Sequence, residues 1–261
     1  MDDEPEPWEP RPMSALAAIG WALGVTFVYV LLLQLAAALR SQPDVDFVTA
    51  AGCQVAAYLL GLFLILRVHA PDASIRSFVA LRKTHPLFFA LGPLLGITVK
   101  AFADPLYDFI LTKWPTGSEG VFESQVIASS SAKRAVLFVL IALVSPAIEE
   151  LFFRGALVQP LKKTSSAVVV GAVVTASFAL IHLEWQAFLP LLLTGAVMIV
   201  LRLASGSLVP SFLMHATFNG VGFLEVIRSQ THGDETKHYV VPLVLLGVTG
   251  TAILLALTRA V

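Results

Sequence analysis

The sequence predicts an all-α protein, a polytopic transmembrane bundle of about eight helices that encloses an intramembrane polar cavity. The 261-residue chain is 57% hydrophobic and only 13% charged, whereas soluble domains carry about 25% charged residues. Several apolar runs reach the length of about 20 residues that a membrane span needs. Ionisable side chains interrupt some of these runs, and in hydrocarbon they are costly unless they face a bundle interior or a water-filled cavity.

The apolar runs predict the individual helices. In chain order they are Ser14–Leu39, Phe47–Leu66, Leu87–Leu111, Ala135–Leu161, Ala167–His182, Ala187–Leu203, Leu208–Ile227 and Tyr239–Leu257. Because the third run contains Lys100, Asp104 and Pro105, we expect it to end or kink there. The fifth and sixth runs are short and separated only by Leu183–Gln186, which predicts a tight antiparallel pair.

Polar segments divide the chain into four parts. Residues 1–12 are acidic and rich in proline, which is typical of a disordered tail. Residues 13–134 hold the N-terminal transmembrane helices and their connecting loops, among them the small, polar segment Ser124–Ser131, a loop or surface helix. Residues 135–228 hold most of the ionisable groups inside apolar runs, and residues 229–261 form a polar loop and the last transmembrane helix.

Charge and cysteine content exclude several classes of function. Seventeen basic and eighteen acidic residues leave no broad basic face, so a nucleic-acid partner is not expected. The single cysteine, Cys53, excludes an internal disulfide and a cysteine-based zinc site. With eight spans, most basic residues in short loops fall on the side that holds both termini, which predicts that both termini are cytoplasmic.

The fourth run contains three charged residues within the segment Ser145–Gly155. Glu150 and Arg154 have the four-residue spacing of an ion pair on one helix face. Glu149 is rotated about 100° from Glu150 around the helix, so we expect it to point elsewhere. Arg154 then neutralises one carboxylate, while the carboxylate of Glu149 remains available for proton transfer.

Two further runs contain polar side chains at the same spacing. Phe178 and His182 share one helix face, and so do His215 and Asn219. Imidazole and carboxamide groups are costly in lipid without partners. The bland alternatives are an interfacial histidine for the first pair and a helix–helix hydrogen bond for the second.

Together the three segments supply the side chains that hydrolysis needs. A carboxylate and a histidine can polarise a water molecule, and a second histidine with an amide can stabilise an oxyanion. Alternatively, Glu149, His182 and His215 would form a two-histidine, one-carboxylate zinc site with an open position for water. The His-Glu-x-x-His helix of many zinc peptidases is absent from the sequence, so such a metal would be gathered across three helices.

The same segments resemble a known family. Glu149-Glu150-Leu-Phe-Phe-Arg154 matches the Glu-Glu-x-x-x-Arg motif of the CAAX-protease and bacteriocin-processing (CPBP, or Abi) family of intramembrane proteases, which includes the type II CAAX prenyl endopeptidases. Phe178-Ala-Leu-Ile-His182 is similar to its Phe-x-x-x-His motif. His215-Ala-Thr-Phe-Asn219 is similar to its His-x-x-x-Asn/Asp motif. The three motifs stand in family order within about Ala135–Gly222.

The resemblance implies a role for each of these residues. Glu149 and His182 would together activate water. His215 and Asn219 would bind the oxyanion. Glu150, Arg154 and Phe178 would support the site. The resemblance further implies that residues 135–228 are the catalytic core and that the substrate is a membrane-associated peptide or protein. It also implies that the protein lies in a bacterial plasma membrane. Family members are often called metalloproteases, so the resemblance leaves two alternatives: a reaction without a cofactor and a reaction that uses a zinc ion.

A non-catalytic membrane module is the alternative from another class. An immunity protein or a transporter-like scaffold would use the same polar cluster as a structural or ligand site. All four candidate catalytic residues are present, which favours the protease. No inverted repeat is evident in the sequence, and such repeats are typical of many secondary transporters.

Overall fold

The computed structural model describes residues 8–40, 45–115, 120–232 and 241–259. All regular structure in these residues is helical, which confirms the predicted fold class. The described helices are α1 (Ala15–Arg40), α2 (Phe47–His69), α3 (Ile75–Phe78), α4 (Leu87–Lys113), α5 (Val121–Ala128), α6 (Ser131–Leu161), α7 (Ala167–Leu180), α8 (Trp185–Ser205), α9 (Val209–His232) and α10 (Val241–Leu257).

Five of these helices are long and apolar enough to cross a membrane, namely α1, α2, α4, α6 and α8. Helix α7 is apolar and has 14 residues, and the described part of α10 is apolar and has 17. All eight predicted runs are helical where the structure describes them, and five of them meet the length and hydropathy of a span within these residues. Large apolar side chains cover the outside, as on α1, where Leu16 is 79% and Phe27 is 69% exposed. Such a surface suits contact with lipid.

Polar side chains at the helix beginnings explain why several helices start where they do. The backbone N–H of Thr49 donates to the carboxylate of Asp46 at 3.0 Å, before α2. This hydrogen bond is the main cause that lowers the pKa of Asp46 to about 2. Ser130 and Ser166 cap α6 and α7 in the same way, because a hydroxyl oxygen satisfies a backbone N–H that the first turn leaves unpaired.

The N-terminal segment is packed from residue 8 onward, so the predicted disorder does not extend through residue 12. The indole of Trp8 donates to the hydroxyl of Ser77 at 2.7 Å. The backbone N–H of Met13 donates to the carbonyl of Pro160 at 3.1 Å, and the Met13 side chain is only 1% exposed. Burial of these apolar side chains holds the segment to the bundle. Residues 1–7 lie outside the described residues.

The third run does not end at Lys100, Asp104 or Pro105, because α4 continues through Pro105 to Lys113. Lys100 is buried and forms ion pairs with Asp104, one turn further along, and with Glu225 of α9 at 3.3 Å. Its ammonium lies 5.1 Å from the centre of the Phe218 ring. These contacts compensate the charge inside the bundle, so the helix need not end there.

Of the two remaining polar segments, the structure describes the first and only one residue of the second. The segment predicted as a loop or surface helix, 124–131, contains the end of α5 and the beginning of α6. The predicted polar loop His232–His238 lies outside the described residues, except that α9 extends to His232.

Helix α6 is irregular on both sides of the pair Glu149-Glu150. It contains two π-helical stretches, Leu140–Val144 and Leu151–Ala156. Pro146 and Pro160 each follow one of these stretches, and each stretch includes the residue four positions before its proline. A proline lacks the N–H that would bond to this carbonyl and its ring crowds it, so the wider turn is the local response. Such π-helical turns are frequent at functional sites.

The bundle has an N-terminal face that carries residues 8–13 and the connections 70–86, 162–166 and 206–208. The hydroxyl of Thr164 donates to the carbonyl of Met13, and the N–H of Leu208 donates to the carbonyl of Ala80. The opposite face carries residues 114–115 and 120–130 and the turn 181–184. There the amide of Gln186 donates to the carbonyl of Trp114.

These positions bring Glu149 and His182 to similar depths. Measured from the connection between α6 and α7, Glu149 lies about 18 Å and His182 about 22 Å into the bundle at 1.5 Å per residue. Straight full-length spans would have separated them. Because α7 is short and α6 extends over 31 residues to Ser131, the separation does not arise.

Candidate active site

The ion pair predicted within α6 is present and fully buried. The Arg154 Nη1 atom donates to Glu150 Oε1 at 2.9 Å, and both side chains are 0% exposed. Arg154 also donates from Nη2 to the carbonyl of Gly195 at 3.3 Å. Its guanidinium carbon lies 4.4 Å from the centre of the Phe178 ring. The pair therefore connects α6 with α7 and α8.

Glu149 is buried but does not share the Arg154 partner. It is 6% exposed, and its Oε1 atom accepts a hydrogen bond from the Gln54 amide of α2 at 2.7 Å. The hydroxyl of Ser145, one turn earlier on α6, lies 3.2 Å from the same oxygen. A single step along the helix thus places two adjacent carboxylates in different surroundings.

His215 of α9 lies between the two carboxylates. Its Nδ1 atom is 3.2 Å from Glu150 Oε1, and its Nε2 atom is 3.8 Å from Glu149 Oε2. The ring is 5% exposed. Because a carboxylate paired with Arg154 only accepts hydrogen bonds, the short contact assigns a donating N–H to Nδ1. His215 thereby joins the third motif to the first.

Phe178 connects the two histidines. Its ring packs edge-to-face against His182 at a centroid distance of 4.9 Å and against His215 at 5.8 Å. His182 Nδ1 is 2.7 Å from the backbone carbonyl of Phe178, and since a carbonyl only accepts, Nδ1 is the donor. A neutral His182 ring then keeps a lone pair on Nε2. His182 is exposed, and among the described residues no hydrogen bond or ion pair joins it to Glu149.

Asn219 lies one turn beyond His215 on α9. Its Nδ2 atom donates to the carbonyl of Ile141 at 3.1 Å, and Ile141 belongs to the first π-helical stretch of α6. An amide nitrogen carries two hydrogens, so one of them remains for a further acceptor. The structure thus gathers Glu149, Glu150, Arg154, Phe178 and His215 in direct contact, with His182 and Asn219 at the margin.

The candidate zinc ligands do not form a metal site. In the part of the chain that the structure describes, no group of three or more His, Cys, Asp or Glu side chains is placed to hold a metal ion. Glu149 and His215 approach each other, but His182 reaches this pair only through the ring of Phe178. The three residues therefore do not fit a zinc ion as they stand.

Several residues of the site were not predicted from the sequence. Gln54 and Ser145 contact Glu149, and Arg202 donates from Nε to the backbone carbonyl of Arg154 at 3.0 Å. Gln54 did carry a signal, because a carboxamide inside the apolar run Phe47–Leu66 is costly without a partner. No sequence pattern indicates that the Gly195 carbonyl accepts a hydrogen bond from Arg154, since this contact depends on tertiary packing alone.

Comparison with known proteins adds the family context. The family model described as type II CAAX prenyl endopeptidase Rce1-like matches residues 131–221. No curated protein and no solved structure matches the chain. The matched segment implies a peptidase of the intramembrane CAAX type, with a peptide or protein as substrate. Together with the five long apolar helices, it identifies an integral membrane protein.

The matched range begins with α6 and extends into α9, so it includes all three motifs and the contacts between them. Over this part the chain is similar to the Rce1-like family, which confirms the resemblance to the CPBP family of intramembrane proteases.

Proposed function

We propose that the protein is an intramembrane endopeptidase in which Glu149 is the general base. The proposal is based on the different partners of the two adjacent carboxylates. Glu150 is paired with Arg154 at 2.9 Å, whereas Glu149 is buried without that cation and faces His215. A buried carboxylate is costly, and ionisable side chains inside a membrane bundle often mark functional sites.

In the proposed reaction, one water molecule lies between Glu149 and His182. Glu149 takes one proton from this water, and His182 Nε2 accepts a hydrogen bond from the second hydrogen, which stays on the oxygen. The water oxygen forms a bond with the carbonyl carbon of the peptide, and the π electron pair of the C=O bond moves to the carbonyl oxygen to give the oxyanion. When the C=O bond forms again, the C–N bond breaks. Glu149 returns the proton to the leaving amine, so that no other reactant is needed. General base catalysis of this kind contributes about 10²–10⁴-fold to the rate.

His215 and Asn219 are the proposed donors to the oxyanion. The contact from His215 Nδ1 to Glu150 fixes the plane of the ring and directs Nε2 to the Glu149 side. A ring protonated on both nitrogens donates to Glu150 and to the oxyanion at once. Asn219 contributes the amide hydrogen that Ile141 does not use. Donors fixed before the reaction stabilise developing charge without reorganisation.

The proposed substrate is a membrane-associated peptide or protein, since the site lies within a bundle of apolar helices. We further propose that residues 135–228 are the catalytic core and that the protein resides in a bacterial plasma membrane with both termini in the cytoplasm. The zinc-dependent version requires His182 to move toward Glu149 and His215, and chelation tests it. Activity that survives exhaustive chelation rejects zinc; loss of activity that added zinc restores rejects the metal-free scheme.

The proposal is tested by proteomics of membranes from cells that express the wild type, Glu149→Gln or Glu123→Gln. Glu123 is an exposed residue of α5 and serves as the matched control. We expect new peptide ends with the wild type and with Glu123→Gln, and none with Glu149→Gln at equal expression. Identical peptide ends for all three proteins would instead favour a non-catalytic membrane module.

A further inference from the structure

A polar contact to Glu149 comes from a part of the chain outside the family match. Helix α2 precedes residues 131–221, yet its Gln54 donates from Nε2 to Glu149 Oε1 at 2.7 Å. The Ser145 hydroxyl donates to Gln54 Oε1 at 2.6 Å. Gln54, Ser145 and Glu149 therefore form one connected hydrogen-bond group between α2 and α6.

The geometry fixes the orientation of the Gln54 amide. A hydroxyl donates one hydrogen, and the Ser145 hydroxyl is closer to Gln54 Oε1, at 2.6 Å, than to Glu149 Oε1, at 3.2 Å. With Oε1 of the amide occupied in this way, its NH2 group faces the carboxylate. The flipped amide would place two acceptor oxygens against each other at 2.7 Å.

The two carboxylate oxygens of Glu149 therefore have different partners. Oε1 accepts the hydrogen bond from Gln54, while Oε2 faces His215 Nε2 at 3.8 Å. Hydrogen bonds to an ionised group are shorter and roughly twice as strong as those between neutral groups. Gln54 thus holds the carboxylate in one rotamer, with Oε2 on the side of the proposed oxyanion donors.

We propose that Gln54 is a positioning residue for Glu149 and that Ser145 orients the Gln54 amide. This inference rests on the proposed function, in which Glu149 takes the proton from water, and it assigns that step to Oε2. Without Gln54 the carboxylate rotates among alternative positions, and a base displaced by even about 1 Å loses much of its effect. The loss falls on the chemical step rather than on substrate binding.

The test measures kcat, KM and Tm of the purified full-length chain in proteoliposomes. The probe is an internally quenched peptide with a prenylated CAAX end, or a peptide spanning the cleavage site that the proteomic comparison identifies. Gln54→Met removes the donor at nearly constant side-chain length. Gln34→Met is the matched control, because Gln34 is exposed on α1. Gln54→His restores an N–H close to the lost amide.

For Gln54→Met we expect kcat to fall about 10- to 100-fold, the range that the loss of one hydrogen bond to a charged group predicts. We expect KM to stay within about twofold, as for an interaction used only in the transition state. Gln54→His should recover a large part of kcat, and Ser145→Ala should lower kcat less than Gln54→Met does. Gln34→Met should leave all three quantities unchanged.

The inference is overturned if folded Gln54→Met keeps the kcat of Gln34→Met, or if its loss of activity appears in KM and Tm alone. If Gln54→Met does not fold, Gln54→His and Ser145→Ala provide the test. The inference is supported if Gln54→His is active and Ser145→Ala has a lowered kcat. Any other result rejects it. Equal cleavage by the wild type and Glu149→Gln would reject the proposed function itself. An inactive Glu149→Gln beside a fully active Gln54→Met would reject only the role of Gln54.

Discussion

At the scale of single residues, the direction of each side chain around α6 separates two carboxylates that are adjacent in sequence. Glu150 faces Arg154 and the interior of the bundle, and both are 0% exposed. Glu149 faces α2 and His215. The i,i+4 spacing was sufficient to predict the ion pair, because this spacing is a local property of a helix. The contact of His215 with both carboxylates depends on how α9 packs against α6, which no local pattern reports.

The first prediction concerns the buried cation. Arg154→Met should lower the free energy of unfolding by about 3–5 kcal/mol, because it leaves the buried carboxylate of Glu150 unpaired. Thermal unfolding in detergent, together with the folded yield, measures the effect. Arg67→Met is the matched control on an exposed side chain of α2. Equal stability of the two variants would contradict the assigned role of Arg154.

At the scale of helices, close packing of α4 against α9 determines where the third motif lies. A Cβ atom on Gly96 would come within 2.6 Å of the carbonyl oxygen of Met214, the residue before His215. Gly92 approaches the carbonyl of Pro210 equally closely. Small residues allow two helix backbones to approach in this way. The position of His215 beside Glu149 therefore depends on glycines in another helix.

The second prediction tests this packing. Gly96→Ala should cost about 1–3 kcal/mol of stability, the usual range for inserting a methyl group into a packed interior. It should also lower cleavage, because α9 moves away from α4 and carries His215 with it. Gly20→Ala is the control, since no atom lies within 4 Å of a Cβ at Gly20. If Gly96→Ala matches this control in Tm and in activity, α4 does not position α9.

The helices also show where sequence alone was insufficient. Hydropathy located all eight long apolar segments, but it could not show that α4 continues through Pro105, because the ion pair from Lys100 to Glu225 bridges distant parts of the chain. Nor does hydropathy report the two π-helical stretches of α6. Trp8 and Met13 pack against the bundle for the same reason, through partners far along the sequence.

At the scale of the whole molecule, composition was enough for the class of fold. A chain with 13% charged residues has too few of them to cover a soluble domain, and the helical bundle follows from the need to satisfy backbone groups in lipid. The length of one helix was not predictable, since a run of apolar residues does not reveal that α7 ends after 14 residues. This short helix is what brings His182 to the depth of Glu149.

The third prediction concerns orientation in the membrane. In a Cys53→Ser background, Asp72→Cys marks the N-terminal face and Glu123→Cys marks the opposite face; both positions are exposed. A membrane-impermeant maleimide should label Glu123→Cys in intact cells and Asp72→Cys only after permeabilisation. The reverse pattern would place both termini outside the cytoplasm.

The central claim is that Glu149 performs the proton transfer while Glu150 maintains the structure. The most direct measurement is kcat/KM for purified wild type, Glu149→Gln and Glu123→Gln in proteoliposomes, each with its Tm. We expect Glu149→Gln to lose about 10²–10⁴-fold in kcat/KM, the contribution of a general base, with the Tm of the wild type. A folded Glu149→Gln protein that cleaves as fast as Glu123→Gln would contradict the account.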